Sequence, residues 1–136
     1  MKTISSTLLL IGTVLMFSGC STHSWWIIAD TASSQTPPGR FPAHPEKVFL
    51  TDLPLPVSLK YESLGKIEAG KVTYSTTENL LILMADRSRE IGANAVINLK
   101  TWRQPSGWSW NATHGSGAAI RIADTNSLVG LTGYWY

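Results

Sequence analysis

The chain has 136 residues, a formal net charge of +2, 43% hydrophobic residues and a single cysteine. Its Lys and Arg residues are scattered along the sequence, which excludes an ordinary nucleic-acid surface, since that needs clustered basic residues. One cysteine cannot form an intramolecular disulfide, and no internal repeat of about 20 residues or more is present.

Residues 1–19 have the pattern of a secretory signal peptide. Lys2 supplies a positive charge, an apolar run extends from Leu8 to Phe17, and a Ser-Gly pair closes the segment. The run is too short for an ordinary membrane-spanning helix, which needs about 20 apolar residues. We therefore predict a cleaved signal peptide, with an uncleaved N-terminal anchor as the weaker alternative.

Cys20 directly follows this segment, and its position accounts for an odd thiol in an exported chain. The sequence Phe-Ser-Gly-Cys resembles the bacterial lipobox, in which the cysteine becomes the lipidated first residue, although Phe17 stands where such sites usually carry Leu. Ser21 then resembles the sorting signal for the outer membrane. We expect a lipid-anchored protein that faces the periplasm, held by several acyl chains because one chain binds only marginally.

Residues 20–46 are predicted to be a lipidated N-terminus and tether, because they are rich in Ser, Thr and Pro, and proline favours extended backbone. An apolar interruption at residues 25–28 contains two tryptophans and lies close to Cys20. Indole rings commonly occupy the membrane interface. These residues either lie at that interface or pack on the folded domain, and the pattern does not separate the two.

Residues 47–136 are predicted to form a single small domain with an aromatic C-terminal tail. Strands are predicted at residues 48–51, 59–69, 93–103, 108–112 and 115–122, with a short extended segment at 72–74. A helix is predicted between the extended segment and residue 92. This order favours an α+β fold, a small sandwich with one helix packed on a mostly antiparallel sheet.

The predicted helix has one apolar stripe. The stripe consists of Leu80, Leu81, Met84, Ala85, Ser88 and Ile91. Thr76 or Thr77 can cap the first amides, and Gly92 follows the last turn as a left-handed terminator. The expected core contacts join Leu81, Met84 and Ile91 to Ile67, Ile97 and Ile120.

Each predicted strand is expected to bury one face. In residues 59–69 the odd-numbered positions form that face, and Leu64 interrupts the polar one. In residues 93–100 the odd-numbered positions are apolar, while Asn94, Asn98 and Lys100 alternate with them. The last strand is expected to bury Ala118, Ile120 and Ile122, with Arg121 pointing outward.

Several segments, taken as an ordered set, resemble a known family. They are residues 64–70, the helix, residues 92–97, the Pro-Ser-Gly turn and residues 116–120. The set resembles the periplasmic domain of the RcsF-like outer-membrane lipoproteins and is also similar to the YbjQ-like family, described as heavy-metal-binding, whose domains form rings. The resemblance implies the α+β fold and a sensor or ring-forming role. RcsF-type domains carry disulfide cysteines in their strands, whereas this chain has Thr101 and residues 112–117 there.

The residues favour neither a metal site nor an active site. A soft-metal site needs three or four convergent thiolates or imidazoles, and His114, in a predicted turn, is the only histidine of the predicted domain. Ser106 and Ser109 lie near it in sequence without an activated-nucleophile pattern. Asp86 and Glu90 fit a charge ladder with the neighbouring arginines. We therefore predict no catalytic residue, no cofactor and no metal.

Three tryptophans surround the predicted turn at residues 104–107, namely Trp102, Trp108 and Trp110. Trp108 and Trp110 are expected to share one face of the return strand by period two. The rings form either an exposed platform for an envelope partner, since Trp is enriched at interface hot spots, or packing beneath the tail at 131–136 or in a subunit interface.

These patterns together predict a bacterial cell-envelope lipoprotein with a non-catalytic binding, sensor or accessory domain. Its expected partners are the membrane, through the lipid on Cys20, and an envelope protein or peptidoglycan. The alternative is a structural homo-oligomer that forms rings, and a metal-binding protein or hydrolase is a more distant one.

Overall fold

The computed structural model describes residues 31–34 and 39–136. Its strands are β1 (Thr31–Ser34), β2 (Phe49–Leu50), β3 (Tyr61–Gly70), β4 (Ala95–Ser106), β5 (Ser109–Ile122) and β6 (Tyr134–Trp135). The helix α1 (Thr77–Glu90) follows β3, and a short 3-10 helix (Thr125–Leu128) follows β5. The predicted signal peptide, Cys20 and residues 25–28 lie outside the described residues.

The six strands form one sheet in the order β1-β3-β5-β4-β2-β6. Neighbouring strands are antiparallel except for β2 and β4, which run parallel. The helix packs on one face of this sheet. The predicted α+β class, with one helix on a mostly antiparallel sheet, is confirmed.

The helix forms where the apolar stripe predicts it, and both of its ends are closed as expected. The Thr76 hydroxyl accepts a hydrogen bond from the amide of Asn79 at 3.2 Å and caps the first turn. Gly92 follows the last turn with a φ of +78°, the left-handed conformation of a helix terminator. A Cβ at Gly92 would also lie 2.4 Å from the Cβ of Phe41, so the chain before β2 crosses the end of the helix closely.

The core is divided into two clusters, one on each face of the sheet. The cluster on the helix side includes Leu64, Ile67, Leu80, Leu81, Met84, Val96 and Ala119. The second cluster contains Phe49, Ala95, Ile97, Ile120, Ile122 and Leu128. The expected packing of the helix against Ile67 is therefore correct, whereas its expected packing against Ile97 and Ile120 is wrong.

The second cluster exists because two irregular segments cover the face of the sheet that is opposite the helix. Leu55 and Leu59, before β3, and Leu131, in the tail, pack against it. Val96 and Ala119, which lie between positions expected to be buried, are themselves fully buried on the helix side. The central strands are thus covered on both faces, unlike the one-sided strands that period two suggests.

A β-bulge at Leu64 changes the face of β3 that is buried. The register of β3 on β5 shifts between Ser63 and Gly65, so Leu64 is the extra residue. Leu64 and Ile67 both lie in the helix-side cluster, whereas Tyr61 is 47% exposed. The expected odd-numbered buried face is wrong before the bulge and correct after it.

Two asparagines mark the beginning of β4. Asn94 was expected on the polar face but is buried, and its side chain donates to the carbonyl of Ile122 at 2.7 Å and accepts from the amide of Ile122 at 2.8 Å. Asn98 is exposed as expected, with a φ of 52° at a register shift between Ile97 and Lys100. The side chain of Asn94 therefore makes the pair of hydrogen bonds that a neighbouring strand's backbone would otherwise make with Ile122.

Part of the predicted tether belongs to the folded domain. β1 pairs with β3, Phe41 packs against the helix-side cluster, and the Nε2 atom of His44 lies 2.8 Å from the carbonyl oxygen of Ala93. The expected domain boundary at residue 47 is corrected for these residues. Composition does not reveal β1, because a short polar strand pairs through backbone hydrogen bonds that need no apolar pattern.

Candidate functional site

The three tryptophans lie on the hairpin formed by β4 and β5. The strands are joined by a two-residue turn at Gly107 and Trp108, with Ser106 opposite Ser109. Gly107 has a φ of 52° and supplies the positive φ that the first position of a tight hairpin turn requires. The turn predicted at residues 104–107 is therefore displaced, and most of that range still belongs to β4.

The outer edge of β4 explains why the strand contains a proline. β2 pairs only with Ala95 and Val96 of β4, and the amide of Leu99 then donates to the carbonyl of Thr51 at 3.0 Å. Beyond Leu99, no strand lies beside this edge in the part of the chain that the structure describes. Pro105 is tolerated there, because a proline has no amide hydrogen to give to a neighbouring strand.

Trp102 lies on β4 directly opposite His114 on β5. The two rings stack with their centroids 6.1 Å apart and an interplanar angle of 21°. The indole Nε1 of Trp102 donates to the Oε1 atom of Gln104 at 2.9 Å, and the residue is 41% exposed. Trp102 is therefore held by its neighbours and still reaches solvent.

Trp108 and Trp110 are much more exposed, at 80% and 72%. Trp108 lies in the turn, where its amide donates to the carbonyl of Val72 at 3.0 Å. The register shift between Gln104 and Ser106 adds one residue to β5 beside Trp110. Ser109, which lies between them, is only 3% exposed, as the alternation of a strand predicts, and the shared face of the two tryptophans stays a prediction.

The C-terminal tail does not cover these tryptophans. Its strand β6 pairs with β2, at the edge of the sheet far from β3. The apolar residues on the sheet face opposite the helix are those of the second cluster, not indoles from the hairpin. Trp108 and Trp110 are therefore not packed beneath the tail. Two of the predicted alternatives remain for them, an exposed binding platform and a subunit interface.

His114 was expected in a turn, but it is a buried residue of β5, 8% exposed. A Cβ at Gly70 would lie 2.6 Å from its Nδ1 atom, so the ring lies over that glycine. Its Nε2 atom is buried and has no hydrogen-bond partner among the described residues. Burial lowers the pKa of His114 below its ordinary value of 6.5, because the charged form would lose its hydration. The sequence indicates this burial in one way: His114 follows Ala112 by two residues, so both lie on the same face of the strand.

The polar groups considered for catalysis do not converge. The Oγ atom of Ser109 accepts from the amide of Asn111 at 3.1 Å, a local turn contact. The helix carries the predicted charge ladder, in which Arg87 pairs with Glu90 and Arg89 pairs with Asp86. Within residues 31–34 and 39–136, no group of three or more His, Cys, Asp or Glu side chains is placed to hold a metal ion.

A groove of about 1000 Å³ lies between α1 and the outer edge of β4. Its lining includes Asp52, Glu78, Leu81, Leu99, Thr101, Tyr134 and Tyr136. Burial, and then the nearby charge of Glu78, raise the pKa of Tyr136. No pattern in the sequence predicts this groove, because its walls come from four separate parts of the chain.

Comparison with protein-family profiles, with curated proteins and with solved structures finds no match to this chain. None of the helices among the described residues is long and apolar enough to cross a membrane.

Proposed function

We propose that this chain is a bacterial cell-envelope lipoprotein, anchored through Cys20 in the outer membrane and facing the periplasm. Its domain is non-catalytic and binds another envelope component through the β4–β5 hairpin. The observation that carries the binding part is the exposure of Trp108 and Trp110, which are 80% and 72% accessible on a hairpin whose backbone is hydrogen-bonded. Exposed indoles on a fixed backbone suit recognition, since little conformational entropy is lost on binding.

The anchoring part rests on the sequence around Cys20, which has an apolar run before it and a small-residue pair adjoining it. We expect Cys20→Ser to abolish fatty-acid labelling of the protein and to leave it unprocessed or soluble. Metabolic labelling with a fatty acid, followed by membrane fractionation, measures both. Unchanged labelling and membrane retention in the variant would contradict the anchor.

The RcsF-like resemblance supports the fold and the layout of anchor, linking segment and domain, and the proposal takes those from it. It does not take the disulfide-dependent sensing role. Thr101 lies directly opposite Gly115 in the sheet, so neither strand offers a thiol at this pair. The proposed binding role therefore depends on the hairpin surface and not on thiol chemistry.

The binding surface is tested with a double variant, Trp108→Ala with Trp110→Ala. We expect the thermal midpoint to remain nearly unchanged, because exposed side chains contribute little to stability, while crosslinking to the envelope partner in intact cells is lost. Tyr134→Ala, which removes a 61% exposed aromatic residue from β6, is the matched control and should retain crosslinking. Collapse of the fold in the double variant would assign both residues to packing.

A homo-oligomer is the second candidate, and the open outer edge of β4 beyond Leu99 favours it. Such an edge can pair with a second copy of the chain. Light scattering on a soluble form that covers residues 21–136 separates the two functions by mass. A form that begins near residue 45 would be unsuitable, because it lacks β1 and the packed side chain of Phe41.

A further inference from the structure

The chain enters the sheet at the hairpin end. One row across the strands contains Thr31, Gly70, His114 and Trp102. β1 begins in this row and runs away from the hairpin turn, because it is antiparallel to β3. The chain therefore enters β1 at Thr31 from the same end of the sheet as the hairpin turn.

The distances allow the anchor and the hairpin turn to meet one surface. Cys20 precedes Thr31 by eleven residues, which span at most about 38 Å when fully extended. The turn lies five residues beyond Trp102 along the hairpin, roughly 17 Å at the rise of a strand. A bilayer that holds the lipid of Cys20 can therefore contact the turn.

The hairpin end is basic and aromatic. Residues 69–77, which end β3 and form the loop after it, and residues 91–123, which contain the hairpin, have no Asp or Glu. The loop is fastened to β5 by the hydroxyl of Thr113, which donates to the carbonyl of Ser75 at 2.8 Å. Tyr74 of this loop is 69% exposed, and Arg103 lies on the adjoining part of β4.

This chemistry suits one kind of surface. Trp and Tyr rings concentrate at the membrane interface, because each has an apolar body and a polar N–H or O–H group. Lys and Arg close to a bilayer are attracted by anionic headgroups. The turn at Gly107 and Trp108 is also the end of the hairpin, where β4 passes into β5.

We propose that the tip of the hairpin, Gly107 to Trp110, rests in the interface of an anionic phospholipid bilayer. Trp108 and Trp110 lie among the headgroups, and Arg103 lies close to the phosphates. This deepens the function proposed above and rests on it, since it names the membrane surface as the envelope component that the tip meets. The lipid and the tip then form two contacts that orient the domain on the membrane.

The test uses the processed chain, acylated at Cys20 and reconstituted in vesicles of phosphatidylcholine mixed with phosphatidylglycerol. Lipids brominated on their acyl chains quench indole rings that lie in the interface. Trp108→Phe with Trp110→Phe keeps aromatic rings at the tip but removes the two reporters. We expect the quenched emission to fall by about half, with the tryptophans at residues 25 and 26, which follow Cys20 by five and six residues in the sequence, supplying the remainder.

The control is Trp135→Phe, since Trp135 lies in β6 and packs 5.1 Å from the ring of Phe49. It should leave the quenched emission unchanged. Arg103→Gln should weaken partition of the tip about fivefold, the factor expected for one cation at an anionic surface. Vesicles of phosphatidylcholine alone should give weaker quenching of the tip for the same reason.

Equal quenched emission with and without Trp108 and Trp110 would overturn the proposal, because the tip would then lie in water. Sedimentation with purified peptidoglycan that depends on these tryptophans, without bromolipid quenching, would overturn it in favour of a glycan partner. Fatty-acid labelling distinguishes failure of the membrane contact from failure of the proposed lipid anchor. A labelled chain with an unquenched tip refutes only the membrane contact, whereas an unlabelled chain refutes the anchor and with it the contact.

Discussion

The geometry at Gly92 allows the loss of stability caused by a substitution there to be worked out. It ends α1 with a φ of +78°, and a Cβ there would lie 2.4 Å from the Cβ of Phe41 and 2.9 Å from the carbonyl oxygen of Pro42. An L-residue in the left-handed region costs roughly 1–2 kcal/mol. Overpacking against backbone adds about 1–3 kcal/mol. We therefore expect Gly92→Ala to lower the free energy of unfolding by about 2–5 kcal/mol.

Urea denaturation measures this loss, and the thermal midpoint should fall by about 4–8 °C for each kcal/mol in a domain of this size. Gly130→Ala is the matched control, because Gly130 has a φ of +89° but no atom within 4 Å of the added Cβ. It should cost only the backbone strain, about 1–2 kcal/mol. The difference between the two variants measures the combined crowding by Phe41 and by the carbonyl oxygen of Pro42.

Repeating the Gly92→Ala substitution in a chain that also carries Phe41→Gly tests the contact with residue 41 directly. In a Phe41→Gly chain the crowding Cβ is absent but the carbonyl oxygen of Pro42 remains, so the cost of Gly92→Ala should fall only part of the way towards the value found for Gly130→Ala, as a double-mutant cycle would show. Equal losses for the two glycine variants in the native background would refute the contact with residue 41. A loss below about half a kcal/mol for Gly92→Ala would refute the helix terminator as well.

The remaining predictions concern one core residue and one titratable residue. Leu81→Ala should cost about 2–5 kcal/mol in urea denaturation, because Leu81 is 5% exposed in the helix-side cluster, and a change below half a kcal/mol would place it on the surface. The pKa of His114 is lowered by burial, so below pH 6.5 the unfolded chain binds more protons and stability falls as the pH falls. His114→Gln should flatten this decline below about pH 6.5, and an equally steep decline in the variant would contradict the buried neutral imidazole.

The local patterns of the sequence were sufficient for the helix. Its apolar stripe, its cap at Thr76, one of the two threonines predicted, and its terminator at Gly92 are found, because each depends on residues within one or two turns. The α+β class followed from the same patterns, since one helix between strands with period two has few ways to bury its stripe. The positions of the three tryptophans around a hairpin were also visible in the sequence.

Tertiary structure decided the features that depend on distant segments. Whether Ile97 and Ile120 meet the helix depends on the segments with Leu55 and Leu131, which cover the second face of the sheet. The buried face of β3 depends on the bulge at Leu64, since one inserted residue shifts every position before it to the other face.

In the hairpin site, too, some features follow from the sequence and others from the tertiary structure. The sequence by itself determined which aromatic residues lie near the turn, but their exposure was decided by where the tail packs, and β6 pairs with β2 rather than covering the hairpin. The sequence also determined a polar, proline-rich segment before the domain, whereas the pairing of β1 with β3 was decided by backbone hydrogen bonds. Helix caps, helix faces and tight turns depend on neighbouring residues and can be predicted from the sequence. The covering of a sheet face and the pairing of strands depend on contacts between segments that are distant in the sequence.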